Sequence, residues 1–249
     1  MRTLVVIPTY EEVGNLTDVL HRARAAVPDA DLLVVDDSSP DGTAAAARTA
    51  AADLGQIEVL ERPTKGGLGS AYRSGFAWGL ERGYDVLCQM DADLSHDPAA
   101  LPAIVGPAVS GTADLIIGSR YVPGGSIPHW PRHRRAVSKY GNLYAARVLG
   151  YNLRDTTSGF RAYRAETLKA IKYADTRSRG YGFQIETSYR VWQWGGRIVE
   201  VPIVFTDRVR GQSKMSLRVA AEELSLVTWW GVRDLIRGRR RPRPPNPSV

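Results

Sequence analysis

The sequence predicts an α/β fold in which a mostly parallel sheet is flanked by helices. Short runs rich in valine, isoleucine and leucine alternate with helical patterns up to Arg120. These runs are apolar at consecutive positions, which is typical of strands buried on both faces of a parallel sheet. Strand–helix alternation of this kind implies right-handed crossovers between parallel strands.

The individual elements follow in chain order. Apolar runs predict strands at residues 3–7, 31–35, 58–60, 86–90, 115–117 and 198–201. Helical patterns lie at residues 13–26, 43–54, 68–82, 99–109, 138–149, 185–194 and 217–237. The turn sequence that precedes Thr43 supplies capping chemistry for the second helix.

Three segments are expected along the chain. Residues 1–216 would form the α/β domain, and residues 239–249 are too rich in proline and arginine to fold. Residues 217–238 predict an amphipathic helix in which Trp229 and Trp230 lie close to basic residues. Such a helix suits a membrane interface, but an ordinary helix packed on the domain fits the pattern equally well.

Composition limits the classes of function. Hydrophobic residues make up 43% of 249 residues, enough for a sizeable core, and the net charge of +7 favours anionic partners. The single cysteine, Cys88, excludes an internal disulfide framework and lies in an apolar run, which predicts a buried thiol. Because no run reaches the roughly 18–20 apolar residues of a membrane span, we expect peripheral contact at the cytoplasmic face of a membrane.

Acidic and aromatic side chains directly follow three of the predicted strands. Tyr10 follows the first strand, and Asp37 follows the second. Asp91 and Asp93 follow the fourth. Ligands of open parallel sheets bind beyond the carboxyl ends of the strands, so these side chains are candidates for one common site.

The spacing of Asp91 and Asp93 has a chemical reason. Two carboxylates at alternate positions can both reach one hard cation where the backbone leaves a strand. Mg²⁺ or Mn²⁺ bound in this way keeps coordination positions for diphosphate oxygens. The sequence therefore predicts a divalent metal at Asp91 and Asp93.

Several motifs, taken in order, resemble the polyprenol- and dolichol-phosphate mannosyltransferases of glycosyltransferase family 2. The resemblance covers approximately residues 3 to 217 and implies a GT-A (Rossmann-like) fold, GDP-mannose as donor and a polyprenyl monophosphate as acceptor. It rests on the runs VVIPTYEE, VVDDSSPDGT, KGGLGSA, MDADLSH, GSRY, DTTSGFRAY, FQIE and FTDRVRGQSKM.

The resemblance also implies roles for individual residues. The nucleotide-sugar would be bound by Pro8, Tyr10, Glu12, Asp37, Lys65, Gly66, Asp91, Ala92, Asp93, Arg208 and Lys214. The acceptor phosphate would be held by Arg120, Arg134 and Ser138, and the catalytic set would be Asp93, Arg120 and Arg134. Where the family often has glutamine, this chain has Ser95, whose shorter side chain would reach a metal only through a bridging water.

The expected acceptor explains why cations matter more than a base. A phosphate monoester is already ionised near neutral pH, with a second pKa of about 6. Arginine suits such a group because its planar guanidinium binds phosphate through two hydrogen bonds and stays charged. We expect an inverting, in-line displacement at the anomeric carbon.

Other segments allow more than one interpretation. The glycine loop that begins at Lys65 either brings backbone N–H groups near the nucleotide or is a structural turn. Gln184 and Glu186 either contact substrate or a mobile loop, or lie on a solvated helix face. The segment 124–135 suggests a mobile lid by its glycines and charge. The loop histidines are expected to be exposed: His96, His129 and His133.

Three alternatives remain at the level of sequence. A glucosyltransferase that uses UDP-glucose keeps the same fold and mechanism, and only the resemblance favours mannose. A basic nucleic-acid-binding protein leaves the carboxylates at the strand ends without a role, so we expect no nucleic-acid partner. An inactive nucleotide-sugar sensor is disfavoured because Asp91, Asp93 and the arginines are all present. We also expect either the membrane surface or a membrane-anchoring protein as a partner.

Overall fold

The computed structural model describes residues 1–178, 180, 182–207 and 217–238. The strands are β1 (Thr3–Thr9), β2 (Asp31–Asp36), β3 (Ile57–Glu61), β4 (Val86–Gln89), β5 (Leu115–Ser119), β6 (Arg161–Arg164) and β7 (Ile198–Pro202). The helices are α1 (Val13–Ala26), α2 (Thr43–Leu54), α3 (Leu68–Glu81), α4 (Leu101–Val109), α5 (Arg132–Leu149), α6 (Ala165–Ala170), α7 (Gly182–Trp194) and α8 (Leu217–Ile236). All predicted elements are present, and the largest shift is at the start of α5.

The strands form one seven-stranded sheet in the order β3–β2–β1–β4–β6–β5–β7. Neighbouring strands are parallel except around β6, which is antiparallel to both β4 and β5. The prediction of a mostly parallel sheet is therefore confirmed. β6 was not predicted, because two of its four residues are arginines and no apolar run marks it.

A separate hydrophobic core covers each face of the sheet. Along β1, Val5 and Ile7 face the core that α1, α2 and α4 cover, whereas Leu4 and Val6 face the core formed with α3, α5 and α7. All four side chains are fully buried, which explains the continuous apolar run in the sequence. Gly75 lets α3 approach β1, because a Cβ there would lie 2.4 Å from Cγ1 of Val6.

The single cysteine belongs to the first of these cores. Cys88 lies on β4 and is fully buried. Burial raises the pKa of its thiol, so the group stays protonated and unreactive. The prediction of a buried core thiol is confirmed.

One face of α8 packs on the domain. The Trp230 ring stacks on Tyr189 of α7 with ring centroids 5.8 Å apart. Gly231 lies against α5, where a Cβ would come within 2.4 Å of Cγ1 of Val148. The opposite face of α8 stays exposed, with Trp229 at 57% of its maximal exposure. The predicted tail at residues 239–249 lies outside the described residues.

Helix α5 begins earlier than the sequence pattern indicated. The basic run 132–135 forms its first turn, whereas the periodic pattern predicted a start at Ser138. A turn made of arginine and histidine carries no apolar periodicity, although these side chains are compatible with a helix. Closure of the segment 124–135 over a substrate stays a prediction.

Candidate active site

The carboxyl-terminal edge of the sheet gathers the ends of β1, β2 and β4. After each end the backbone passes through a left-handed conformation at a residue other than glycine: Glu11 (φ +59°), Ser38 (φ +56°) and Leu94 (φ +61°). Such a conformation costs about 1–2 kcal/mol per residue. Strain of this kind concentrates where the surrounding structure fixes a functional geometry. Three occurrences at one edge therefore mark it as the candidate site.

The residues Asp91–Asp93, called here the carboxylate motif, follow β4. The Tyr72 hydroxyl donates to Oδ1 of Asp91 over 3.1 Å, and the Asp91 N–H donates to Nδ1 of His96 over 3.3 Å. Burial, together with the negative charge of Asp91, raises the pKa of Tyr72 well above its ordinary value. The phenol therefore stays protonated and acts as a donor.

Asp93 is oriented by its own neighbours in the chain. The Ser95 N–H and hydroxyl both donate to Oδ1 of Asp93, over 3.0 and 2.5 Å. Ala92, which lies between the two acids, is buried in the hydrophobic core. The structure thus places Ser95 as a hydrogen-bond donor to the Asp93 carboxylate.

The glycine loop is tied to the end of β2. Asp37 accepts a hydrogen bond from Nη1 of Arg62 over 2.6 Å and from the Gly66 N–H over 3.0 Å. The Lys65 ammonium lies 3.4 Å from the centroid of the Tyr10 ring. Residues predicted to bind the nucleotide are therefore brought together from β1, β2 and the start of α3.

Two further residues of the predicted nucleotide set lie on and after β1. Pro8 pairs with Val35 of β2 in the parallel ladder. The Glu12 carboxylate accepts from Nδ2 of Asn15 over 3.0 Å, and its N–H donates to the Thr43 hydroxyl over 3.1 Å. Glu12 thus joins the start of α1 to the start of α2.

The predicted acceptor site contains two arginines around Trp130, called here the arginine cluster. Arg120 donates from Nε and Nη2 to the two carboxylate oxygens of Asp155, over 2.7 and 2.6 Å. Asp155 is fully buried, which alone would raise the pKa of its carboxyl, but the Arg120 charge and hydrogen bonds lower that pKa below its ordinary value. This ion pair is buried on both sides.

Arg134 has a more open environment on the first turn of α5. Its Nη1 donates to Oδ1 of Asp207 over 2.9 Å, and its guanidinium carbon lies 3.9 Å from the centroid of the Trp130 ring. Both members of this ion pair are more than one third exposed. Ser138, one turn further along α5, accepts a hydrogen bond from the Tyr121 hydroxyl over 2.7 Å.

Phe205 connects the arginine cluster with the carboxylate motif. Its ring centroid lies 5.4 Å from the guanidinium carbon of Arg120 and 5.6 Å from the Trp130 ring. On its other side it lies 5.5 Å from the His96 ring. The rings of Phe205 and His96 therefore link the arginine cluster to Asp91.

Gln184 and Glu186 are buried, so the prediction of a solvated helix face is wrong. Gln184 accepts from the side-chain amide of Gln89 over 2.7 Å. Glu186 accepts from Arg190 over 2.8 Å and from the Arg177 N–H over 3.1 Å, and it therefore contacts the segment before α7. Substrate contact by this pair stays a prediction. Two other predicted site residues lie outside the described part of the chain: Arg208 and Lys214.

The structure adds site residues that the sequence analysis missed. The prediction that His96 is exposed is wrong, because it is 2% exposed and stacks on Phe160. Tyr72 and Asp155 were also missed, although Tyr72 directly follows the motif KGGLGSA and Asp155 begins the motif DTTSGFRAY. Spacing did not reveal them, because their partners are distant in the chain.

Sequence similarity connects the chain to known enzymes. The profile of "Glycosyl transferase family 2" matches residues 4–172. The chain is 54% identical over 232 residues to "Undecaprenyl-phosphate mannosyltransferase" of Micrococcus luteus. The aligned region covers 93% of this chain and 95% of that protein. It is 49% identical over 233 residues to "Polyprenol monophosphomannose synthase" of Mycolicibacterium smegmatis, with 93% and 88% covered.

Solved structures share the fold. A glucosyl-3-phosphoglycerate synthase from Mycobacterium tuberculosis, solved with Mn²⁺, UDP and glucosyl-3-phosphoglycerate, superposes with a TM-score of 0.64 at 19% identity over 95% of this chain and 79% of that one. A mannosyltransferase from Pyrobaculum calidifontis, solved with GDP-Man and Mn²⁺, gives a TM-score of 0.63 at 16% identity over 98% and 66%. The predicted GT-A fold is thereby confirmed.

Proposed function

The chain belongs to glycosyl transferase family 2, and from this membership and its site we propose that it transfers mannose from GDP-mannose to a polyprenyl monophosphate. The products are polyprenyl-phosphate-mannose and GDP. The observation that carries the proposal is 54% and 49% identity, over 93% of this chain, to two proteins named for mannose transfer to polyprenyl phosphate. The family model matches residues 4–172, which include the strand ends that hold the candidate site.

The carboxylate motif fits a hard divalent cation. Asp91 and Asp93 offer carboxylate oxygens, the ligands that Mg²⁺ and Mn²⁺ prefer. In the described part of the chain no group of three His, Cys, Asp or Glu side chains assembles, so diphosphate oxygens and water would complete the coordination. A bound metal would neutralise charge on the departing diphosphate. Mn²⁺ in two structural neighbours supports this use.

The nucleotide would lie between the ends of β1 and β2 and the glycine loop. Asp37 fixes the Gly66 N–H, and Lys65 brings a positive charge beside the Tyr10 ring. A ligand held here would direct its diphosphate towards Asp91 and Asp93. This geometry supports the assignment of Pro8, Tyr10, Glu12, Asp37, Lys65 and Gly66 to the nucleotide.

We assign the acceptor phosphate to the arginine cluster, with Arg134 as its direct contact. Arg134 lies on the first turn of α5, where the helix dipole disfavours cations and favours an anion. A phosphate bound there would gain from both the dipole and the guanidinium. Arg120 would add positive charge, and its pairing with Asp155 fixes its position beside Trp130. Ser138 would supply a hydroxyl.

The reaction then needs positioning rather than proton removal. The acceptor phosphate is already ionised at neutral pH, so a phosphate oxygen can attack the anomeric carbon without a general base. The new C–O bond forms as the bond from the sugar to GDP breaks, and the configuration inverts. The residues of this chain hold the two substrates in line.

A lipid acceptor also calls for contact with a membrane. Among the described residues, no helix combines the length and apolarity needed to cross a bilayer. The outer faces of α5 and α8 instead form an exposed apolar surface, and the Tyr144 hydroxyl lies 2.7 Å from that of Thr228 where the helices meet. Its members are Val137, Tyr140, Leu143, Leu224, Trp229, Val232, Leu235 and Ile236. We assign this α5–α8 surface to the cytoplasmic face of the membrane or to an anchoring protein.

The membrane contact is tested by liposome sedimentation. The double variant Leu235→Ser, Ile236→Ser should reduce recovery with liposomes, because these side chains are 77% and 80% exposed and lose apolar area on insertion. Binding of GDP should not change. The control is Val109→Ser, an exposed apolar residue on α4. Equal recovery of the double variant and the control would exclude direct membrane contact by this surface and leave the anchoring protein as its partner.

The activity is tested by transfer of labelled sugar to a polyprenyl phosphate. GDP-mannose and UDP-glucose are supplied in parallel, each with Mn²⁺ or with EDTA. We expect label in the lipid phase from GDP-mannose and only with Mn²⁺. If only UDP-glucose gave labelled lipid, GDP-mannose would be the wrong donor. If neither donor gave labelled lipid, polyprenyl phosphate would be the wrong acceptor.

A further inference from the structure

We propose that Tyr72 and His96 are positioning residues that fix Asp91 for binding of the divalent cation. This inference rests on the proposed role of Asp91 at the metal. Neither residue needs to touch the metal or the substrate. Both act through Asp91, one through its carboxylate and the other through its backbone N–H.

Tyr72 fixes the carboxylate. Its side chain is fully buried on α3, where its ring packs against those of Phe76 and Phe183 with centroid distances of 6.0 and 6.1 Å. Only its hydroxyl reaches the site, where it donates to Oδ1 of Asp91 over 3.1 Å. Because the ring is held by packing, the direction of this hydrogen bond is fixed before any ligand binds.

His96 fixes the backbone of the same residue. Its Nδ1 accepts from the Asp91 N–H over 3.3 Å, and its ring is held between Phe160 and Phe205. Gly159 closes this arrangement, because a Cβ there would lie 3.4 Å from both Asp91 carboxylate oxygens and from Cε1 of His96. Asp91 is therefore enclosed by α3, by the turn after β4 and by the segment before β6.

Neither the Tyr72 donor nor the His96 acceptor neutralises the charge of Asp91. A protonated phenol orients a carboxylate without neutralising it, in contrast to an arginine. Groups that orient metal ligands from outside the coordination sphere typically change metal affinity or activity about 10- to 100-fold when removed. Asp93 accepts a hydrogen bond from Ser95, only two residues away. The position of Asp91 depends on more distant parts of the chain, since Tyr72 lies 19 residues before it.

The first test compares Tyr72→Phe with Tyr84→Phe. Both variants lose a hydrogen bond from a tyrosine to an aspartate, since Tyr84 donates to Asp31 over 2.6 Å at the opposite edge of the sheet. Mn²⁺ binding in the presence of GDP is measured by electron paramagnetic resonance. Tyr72→Phe should weaken Mn²⁺ binding about 10-fold or more, and Tyr84→Phe should leave it unchanged. Equal Mn²⁺ affinity in the two variants would overturn the role of Tyr72.

The second test uses the similar shapes of leucine and asparagine. His96→Asn keeps an acceptor near the position of Nδ1, whereas His96→Leu removes it and leaves the Asp91 N–H unpaired. We expect His96→Leu to raise the apparent KM for Mn²⁺ about 10-fold or more, and His96→Asn to restore most of the loss. A fall in kcat alone, or an equal loss in both variants, would assign His96 to packing.

Asp91→Asn separates this inference from the proposed metal site. If Asp91→Asn weakens Mn²⁺ binding but Tyr72→Phe and His96→Leu do not, the metal site stands and the positioning role is wrong. If Asp91→Asn leaves Mn²⁺ binding unchanged, the proposed metal site itself is wrong. Thermal unfolding of each variant shows whether it is folded under the conditions of the Mn²⁺ binding measurements.

Discussion

In the carboxylate motif the charged groups are oriented by neutral donors, whereas in the arginine cluster each cation is already paired with a carboxylate. Asp91 and Asp93 receive hydrogen bonds from the hydroxyls of Tyr72 and Ser95, and a neutral hydroxyl does not cancel the charge of a carboxylate. Arg120 and Arg134 are instead compensated by opposite charges. Under the proposed assignment, an acceptor phosphate at the arginine cluster would displace or share one of these carboxylates.

The two ion pairs of the arginine cluster also differ from each other. The Arg120 pair is buried and held by three hydrogen bonds to Asp155, including one from the Arg120 N–H. The Arg134 pair with Asp207 rests on one hydrogen bond between partly exposed side chains. Breaking a buried ion pair strongly lowers stability, whereas an exposed ion pair contributes little to it. A phosphate can therefore replace Asp207 at Arg134 at small cost.

The largest effect is expected in the carboxylate motif. Asp93→Ala should lower kcat about 10³-fold or more, because one of two metal-binding carboxylates and its charge are lost at the departing diphosphate. Mannosyl transfer is measured at saturating GDP-mannose and Mn²⁺. The control is Asp97→Ala, an exposed acid four residues later in the chain. Wild-type turnover in Asp93→Ala would remove the metal role.

The next largest effect is on stability at the buried pair. Asp155→Asn should lower the free energy of unfolding by about 3–5 kcal/mol, because it removes the carboxylate charge that is paired with the buried Arg120. Urea unfolding gives this value. Replacing both partners, as Arg120→Met with Asp155→Leu, should recover much of the loss. If Asp155→Asn changed the free energy of unfolding by less than about 1 kcal/mol, this ion pair would contribute no more than an exposed one.

The same pair predicts a dependence of stability on pH. Arg120 lowers the pKa of Asp155 in the folded chain against the effect of burial, so the unfolded chain, with a pKa of about 3.9, binds a proton more readily. The contribution is therefore present above about pH 4 and is lost as the pH falls through the folded-state pKa. Asp155→Asn should show a shallower loss of stability in acid than wild type. If the free energy of unfolding of wild type and Asp155→Asn depended on pH in the same way, the lowered pKa of Asp155 would be wrong.

A smaller effect on activity is expected at the exposed arginine. Arg134→Ala should raise the KM for polyprenyl phosphate about 10-fold or more, because a hydrogen bond to a charged group is lost. The affinity for GDP should stay unchanged. Arg132→Ala, on the same turn of α5, is the matched control. If Arg134→Ala weakened only the affinity for GDP, Arg134 would be assigned to nucleotide binding and not to the acceptor.

The smallest effect is expected at the partner of that arginine. Asp207→Asn should change the free energy of unfolding by less than about 1 kcal/mol, since both side chains are exposed to solvent. Removing the competing carboxylate should slightly lower the KM for the acceptor. A large loss of stability would show that the two ion pairs are alike, and the contrast between them would fail.

Much of the fold follows from local patterns. Continuous apolar runs predicted β1, β2 and β4, because both faces of the central strands are buried. Helix α2 was predicted with its observed ends, Thr43–Leu54. The strand β6 was not predicted, because its buried arginine, Arg161, donates to the backbone carbonyl oxygens of Thr156 and Gln184. A charged side chain satisfied in this way leaves no apolar signal.

The sequence by itself determined which residue types stand at the strand ends, because strands, caps and motifs depend on neighbours a few positions away. Only the tertiary structure decided how each charge is held. Asp91 meets Tyr72 across 19 residues, Arg120 meets Asp155 across 35, and Arg134 meets Asp207 across 73. Hydrogen bonds and burial act over a few ångströms in space, and chain folding alone sets which distant residues come within that range.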